Sequence, residues 1–310
     1  MKRRKAIKSG FLGSAALSAL NVPVFSQDHS NAEIPWKINV FSKHLQWVGY
    51  DEMAKFTAEI GFDGVDLTVR PKGHVEPADV ERDLPKAAEA CDKYGIEMGM
   101  MTTAIKSADD PTTEPIVKTA ARLGVKVYRL GWYKYNFTKS IPDNLKEFSV
   151  ELQKIGELNA KYGIVGDYQN HSGTSAGSAV WDIHEMIKDL NTKWIGVQYD
   201  IRHAMVEGLK AWPLGLRLLA PCIHSMDIKD FEYIKTDEGW NVKNVPLGEG
   251  GVDFKSYFTL LNELNAQAPI SIHFEYPLGG ADHGHRELTI PGDRVIEAMA
   301  KDLKYLRSVL

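Results

Sequence analysis

The chain has 310 residues, of which 44% are hydrophobic, 25% charged and 10% aromatic. That composition excludes a disordered chain, a collagen-like repeat and a small disulfide-stapled module, and it is ample for one large core. The formal charge of −4 averages two unlike pieces. Lys2, Arg3, Arg4, Lys5 and Lys8 stand in the first 26 residues without an acid, and removing these five cations leaves 32 bases against 41 acids, or −9. A body of that sign is a poor fit to nucleic acid or an anionic membrane, so neither is expected as a partner.

The opening has a basic front, an apolar stretch from Gly10 to Leu20, and a small-residue site at Val24-Phe25-Ser26 before Gln27. This is the layout of an export signal, and the apolar stretch is too short to span a bilayer. Arg3-Arg4 followed by Ile7-Lys8 resembles the twin-arginine export signal. The expectation is a signal peptide at residues 1–26 and an exported, periplasmic body from residue 27 to 310. No cysteine follows the apolar stretch, so a lipid anchor is not expected. Two cysteines without a Cys-x-x-Cys argue against both a Cys-based zinc module and a disulfide framework; Cys91 and Cys222 read as buried thiols.

Beyond the signal, short β-rich runs alternate with helical patterns. The predicted strands are 37–41, 64–69, 97–102, 125–130, 164–169, 194–200, 223–229 and 270–275. Helices are expected near 50–60, 81–94, 114–123, 143–162, 178–190, 208–220, 254–266 and 293–309. Gly61, Gly95, Gly124 and Gly163 each stand where a helix should stop before a strand. Eight strands and eight helices in alternation predict a single α/β domain, a (β/α)8 TIM barrel. No G-x-G-x-x-G follows the first strand, which removes the usual argument for a dinucleotide.

In such a barrel, chemistry collects where strands end, and inward side chains alternate. The fifth strand ends in Gln169-Asn170-His171, the sixth in Asp200-Ile201-Arg202-His203, the seventh in Asp227-Ile228-Lys229-Asp230, and the eighth in His273-Phe274-Glu275. Period-two parity puts Gln169, Asp200, Asp227 and Glu275 around one point. Converging oxygen donors suit Mn²⁺ or Mg²⁺ better than zinc. Across the mouth, Arg70 and His74 follow the second strand, His44 and Trp47 the first, and Arg129 and Trp132 the fourth. Guanidinium, imidazole and flat aromatic faces there suit the hydroxyls and apolar faces of a sugar ring. No glycine-rich phosphate cradle is evident, so an unphosphorylated sugar or glycoside is the expected partner.

Several of these runs together carry a family resemblance. Gln169-Asn170-His171 stands in the place of a usual Glu-Asn-His, Asp200-x-x-His203 matches an Asp-x-x-His, and Asp227-Ile228-Lys229-Asp230 resembles a His-x-Lys-Asp. Leu247-Gly248-Glu249-Gly250-Gly251 looks like a Gly-x-Gly loop, and Glu275 sits where a last ligand sits. The body resembles the xylose isomerase-like barrel superfamily of sugar isomerases and epimerases. The resemblance implies a divalent metal held at positions 169, 200, 227 and 275, with Glu249 beside the substrate. Two departures matter: Gln169 replaces a glutamate and Asp227 a histidine. An amide cannot accept and return a proton, so a mechanism using two glutamates is in doubt, and metal binding weakens or is lost.

One strong base remains. Glu275 is assigned to remove a proton α to a sugar carbonyl, with a metal or Lys229 stabilising the enediolate and His171 and His203 as proton-transfer partners. This is isomerase or epimerase chemistry. Two alternatives are a lyase or hydratase on 3-keto-sugars or 3-keto-glycosides, which needs one base and one acid, and a non-catalytic sugar-binding barrel. A homo-oligomer stays open.

Overall fold

The structure, a computed structural model, describes residues 36–310; the expected signal at 1–26 lies outside the described residues. Eight parallel strands close into a barrel: β1 (Ile38–Phe41), β2 (Gly64–Val69), β3 (Glu97–Thr103), β4 (Val127–Arg129), β5 (Val165–Gln169), β6 (Ile195–Asp200), β7 (Ile223–Ile228) and β10 (Ile270–Ile272). They follow one another around the barrel in chain order, and β10 closes it by pairing with β1. The predicted TIM barrel is therefore the observed fold. Helices α1 (Tyr50–Ile60), α2 (Val80–Lys93), α3 (Thr113–Arg122), α4 (Ile141–Tyr162), α5 (Val180–Ile187), α8 (Phe254–Glu263) and α9 (Gly292–Arg307) pack outside. Gly61 and Gly163 end α1 and α4 at φ 99° and 72°, left-handed values that glycine reaches without a Cβ clash.

Two regions differ from the predicted elements. The helix expected at 208–220 is α7 (Trp212–Leu219), and an additional helix, α6 (Ile201–Gly208), precedes it. Asp200 starts α6 directly at the strand end, accepting from the His203 amide at 2.9 Å, and Pro213 in the first turn of α7 suits a fresh start. Second, the stretch after β7 forms an antiparallel hairpin, β8 (Asp230–Thr236) with β9 (Gly239–Val245), outside the barrel sheet.

The barrel interior is polar. Asp66 on β2 accepts from Thr102 at 2.9 Å and from Ser271 at 2.8 Å. Asp167 on β5 accepts from Ser225 at 2.6 Å and lies 3.0 Å from His224 Nδ1. His224 and Ser225 both reach Asp167 because a register shift interrupts the alternation where β6 meets β7. Each buried carboxylate thus has donors, without which its desolvation would cost several kcal/mol. Cys91 and Cys222 are free thiols, the first buried and the second half-buried. Among the described residues, no helix is long and apolar enough to cross a membrane.

Candidate active site at the barrel mouth

The strand ends place Gln169, Asp200, Asp227, Lys229 and Glu275 together. Register sets Asp200 beside Asp227 and Asp227 beside Ser271, so β6, β7 and β10 deliver their last inward residues to one spot. Asn170 fastens β5 to β6 by donating to the Asp200 carbonyl at 2.9 Å and accepting from the Asp200 amide at 2.8 Å. Beyond Ile272 the chain leaves the sheet, which lifts Glu275 above the layer of Asp227 and leaves its side chain 25% exposed.

Glu275 is clasped by two ammoniums. Lys43 Nζ lies 2.9 Å from Oε1 and Lys229 Nζ lies 3.3 Å from Oε2. Burial alone would raise its pKa, but Lys229 and Lys43 outweigh burial and hold the carboxyl well below the usual carboxylate range. Lys229 is itself buried and also lies 3.1 Å from Asp200 Oδ2. Burial pushes this ammonium down, but Asp200 and Glu275 outweigh that and raise it. Burial pushes Asp200 up to about 6 and Asp227 up to about 7.

The expected four-donor cation cage does not assemble. An ammonium stands between Asp200 and Glu275, where a cation shared by them would sit. Gln169 turns its carbonyl to Arg129 Nη1 at 3.1 Å and donates its amide to Asp200 at 3.1 Å and to Asp227. A different trio, Asp66, Asp227 and His273, has donor atoms all within 4.8 Å of one another. Asp227 Oδ1 and both ring nitrogens of His273 are buried without a hydrogen bond, so these three residues could hold a small cation.

The other expected site residues divide. His171 sits with its ring 4.5 Å from Trp132 and 3.9 Å from His203. Its Nδ1 lies 2.9 Å from the Ser172 carbonyl, which leaves Nε2 as the reactive nitrogen. Burial and the Lys229 charge press His171 down to about 4, so it is neutral at pH 7. His203 is buried, with Nδ1 taken by Ser172 and Arg202 at 2.8 and 3.0 Å and Nε2 3.5 Å from Asp200; it orients Asp200 rather than facing the mouth. Arg70 and Arg129 lie 5.4 and 6.0 Å from the Phe41 ring centre, and Arg129 also stacks 4.5 Å from Trp132.

Four of the expected substrate contacts face elsewhere. His44 is sealed, with Nδ1 3.0 Å from the Ala281 carbonyl and Nε2 accepting from the Phe274 amide at 3.0 Å. His74 is held by Ser42 and the Leu45 carbonyl, both at 3.2 Å. Trp47 donates to the His44 carbonyl at 3.1 Å and stacks on Phe56. Glu249 pairs with Lys301 on the outer surface at 2.5 Å.

The sequence assigns no site role to Lys43, Phe41 or Asp66, and parity puts His273 on the face of Glu275 without marking it as a ligand. After Phe41 the chain enters a 3-10 turn, Ser42–Leu45, whose period of three sends Lys43 to the mouth and turns His44 inward. Asp66 is the one charged residue in the strand Gly64–Val69, which is the signal the sequence offers.

In three dimensions the chain is similar to several sugar-active barrels. It matches the 3-keto-D-glucoside 4-epimerase YcjR from E. coli at 17% identity and a TM-score of 0.64, over 88% of this chain and 100% of that one. It matches a D-allulose 3-epimerase from Methylomonas sp. at 16% identity and 0.65, over 89% and 98%. It also matches the probable 3-DHS dehydratase AsbF from Bacillus anthracis at 15% identity and 0.64, over 86% and 98%. Among curated proteins, none matches the sequence. The family model for xylose isomerase-like TIM barrels matches residues 54–307, and the chain belongs to that family.

Proposed function

We propose that the protein is an enzyme of the isomerase or epimerase type that removes a proton from the carbon α to the carbonyl of a keto-sugar or keto-glycoside. The observation that carries this reading is Glu275, a partly open carboxylate clasped by two lysines at a barrel mouth. The carboxylate is ionised and so able to accept a proton, and its basicity rises when Lys229 leaves it for the substrate oxygen. The ammoniums beside it are within reach of the oxygen that becomes negative as the proton leaves, and stabilising developing charge in a dry site contributes most to rate. Glu275 takes the α-proton, and Lys229 exchanges its contact with Glu275 for the enediolate oxygen. His171, neutral and with Nε2 free, exchanges a proton with the adjacent hydroxyl, and Asp200 holds Lys229 in place. A divalent cation such as Mn²⁺ or Mg²⁺ would be held by Asp66, Asp227 and His273 and would add Lewis-acid charge stabilisation.

Elimination from a 3-keto-glycoside is the second reading. It is favoured by the single carboxylate base, since Gln169 cannot act as the second. The similar structures include both an epimerase of 3-keto-glucosides and a dehydratase, which supports keto-sugar chemistry without choosing between the two outcomes. Residues 1–26 support export to the periplasm, where glycosides are the available sugars; N-terminal sequencing of the secreted chain should begin near Gln27.

The deciding experiment is incubation in D₂O with a 3-keto-glucoside and with free ketohexoses, followed by NMR. Deuterium at an α-carbon is expected, with either a new epimer or a released aglycone naming the reaction. If no α-carbon takes up deuterium from any of these sugars, proton abstraction is not what the site does.

A further inference from the structure

Three cations gather around one aromatic ring at the mouth. Lys43 Nζ, Arg70 Cζ and Arg129 Cζ lie 5.5, 5.4 and 6.0 Å from the centre of the Phe41 ring. Lys43 has Glu275 as partner, but Glu275 is shared with Lys229. Among the described residues, neither Arg70 nor Arg129 forms an ion pair. Arg129 bonds only the neutral amide of Gln169, at 3.1 Å, and its Nε is buried without a partner. Asp227, Asp66, Glu275 and Asp200 lie near enough to favour the Arg129 charge, but none of them bonds either guanidinium. The two guanidiniums oppose each other: burial and the Arg129 charge together press Arg70 down to about 10. Guanidiniums drawn out of water without a direct ion-pair partner keep unused donors, and an anion that accepts from them offsets the cost of that burial.

We propose that the substrate is a sugar acid: a keto-sugar or keto-glycoside bearing one carboxylate, which Arg70 binds, with Arg129 beside it. This rests on the keto-sugar reading of the same site and gives its two unpaired guanidiniums a partner. A flat guanidinium matches a carboxylate in two parallel hydrogen bonds. A phosphate is less suited. The glycine-loop amides that would cradle it, those of Gly248 and Gly250, already donate to Asp230 at 3.0 Å each.

The test is titration calorimetry of the full barrel with three unreactive probes: methyl β-D-glucuronide, methyl β-D-glucoside and D-glucose 6-phosphate. The glucuronide is expected to bind about tenfold or more tighter than the glucoside, the range of one charge-assisted contact, and the margin should shrink with added salt. Arg70→Gln should bring the two Kd values within about twofold, and Arg70→Lys should restore part of the preference, with unchanged Tm in both. Equal affinity for the two glycosides, tightest binding of the phosphate, or an Arg70→Gln variant that weakens both glycosides alike would overturn the proposal. Glucuronide preference without deuterium exchange on any keto-sugar would leave the carboxylate site standing and remove the proposed reaction. Exchange on a neutral 3-keto-glucoside without that preference would do the reverse.

Discussion

Asp230 and Glu275 are two carboxylates at the same barrel mouth, and they are held in opposite ways. Asp230 accepts four backbone amides, from Phe231 at 2.8 Å, Gly248 and Gly250 at 3.0 Å, and Val252 at 3.1 Å. Glu275 accepts from no backbone amide among the described residues and is held by Lys43 and Lys229. Backbone donors cannot move away without unmaking the loop, so the Asp230 charge is fixed scaffold. Lysine ammoniums on flexible stems can change partner when a substrate arrives, so the Glu275 charge is available for chemistry. The partners of a buried carboxylate, more than its burial, separate structure from function here.

The largest expected effect follows from exchanging each carboxyl for its amide. Glu275→Gln should lower α-proton exchange by about 10³-fold, within the usual range for losing a general base, with little change in Tm. A Glu275→Gln protein that turns over normally would mean that Glu275, like Asp230, is scaffold. Asp230→Asn should do the opposite. Its amide presents a donor to a cluster of donors, so we expect a loss of about 2–3 kcal/mol by denaturant titration, with activity falling only as the loop loosens.

Gly250 sharpens the same contrast at a smaller scale. A Cβ there would stand 2.3 Å from Asp230 Oδ1 and 2.4 Å from the Phe231 carbonyl, both parts of the rigid cradle. Gly250→Ala should therefore cost about 1–3 kcal/mol, read as a lower denaturation midpoint at unchanged m-value. A midpoint equal to the parent's would show that the Asp230 loop can yield, and the distinction between fixed and available charge would weaken.

Much of the scaffold was legible in the sequence and much of the site's wiring was not. The eight strands were visible because each β-rich run is buried and separated by a helix from the next. The hairpin Asp230–Val245 has no counterpart among the expected elements, although Phe231, Tyr233, Trp240 and Val242 alternate on either side of Asp237-Glu238-Gly239. It lies outside the repeating βα rhythm, and that rhythm dominated the reading. Within the site, Gln169, Asp200, Asp227 and Lys229 stand close together, and parity applies to them because they belong to β5, β6 and β7 or directly follow. His44 and Lys43 were exchanged in role because they sit in a 3-10 turn, where parity no longer applies. The contact between Lys229 and Asp200 joins neighbouring strands, and no spacing along the chain could announce it.

Asp302 on α9 offers a third environment and the smallest expected effect. It is buried, accepts only the neutral Tyr276 hydroxyl at 3.0 Å among side chains, and leaves Oδ1 without a partner. Burial outweighs the Tyr276 hydroxyl, the Leu247 amide and the nearby Lys301 charge, and pushes its pKa up to about 7. The folded chain therefore holds a proton here that the unfolded chain has released, across the window from about pH 4 to pH 7. More protons bound in the folded state means that this group's contribution to stability falls as pH rises through that window. Asp302→Asn removes the titration, so its Tm relative to the parent should rise by about 2 °C or more between pH 5 and pH 8 in paired thermal melts. A Tm difference that stays constant across that range would mean that Asp302 is already ionised at pH 5. In that case one amide and one distant ammonium are enough for a buried carboxylate in this barrel to keep its charge.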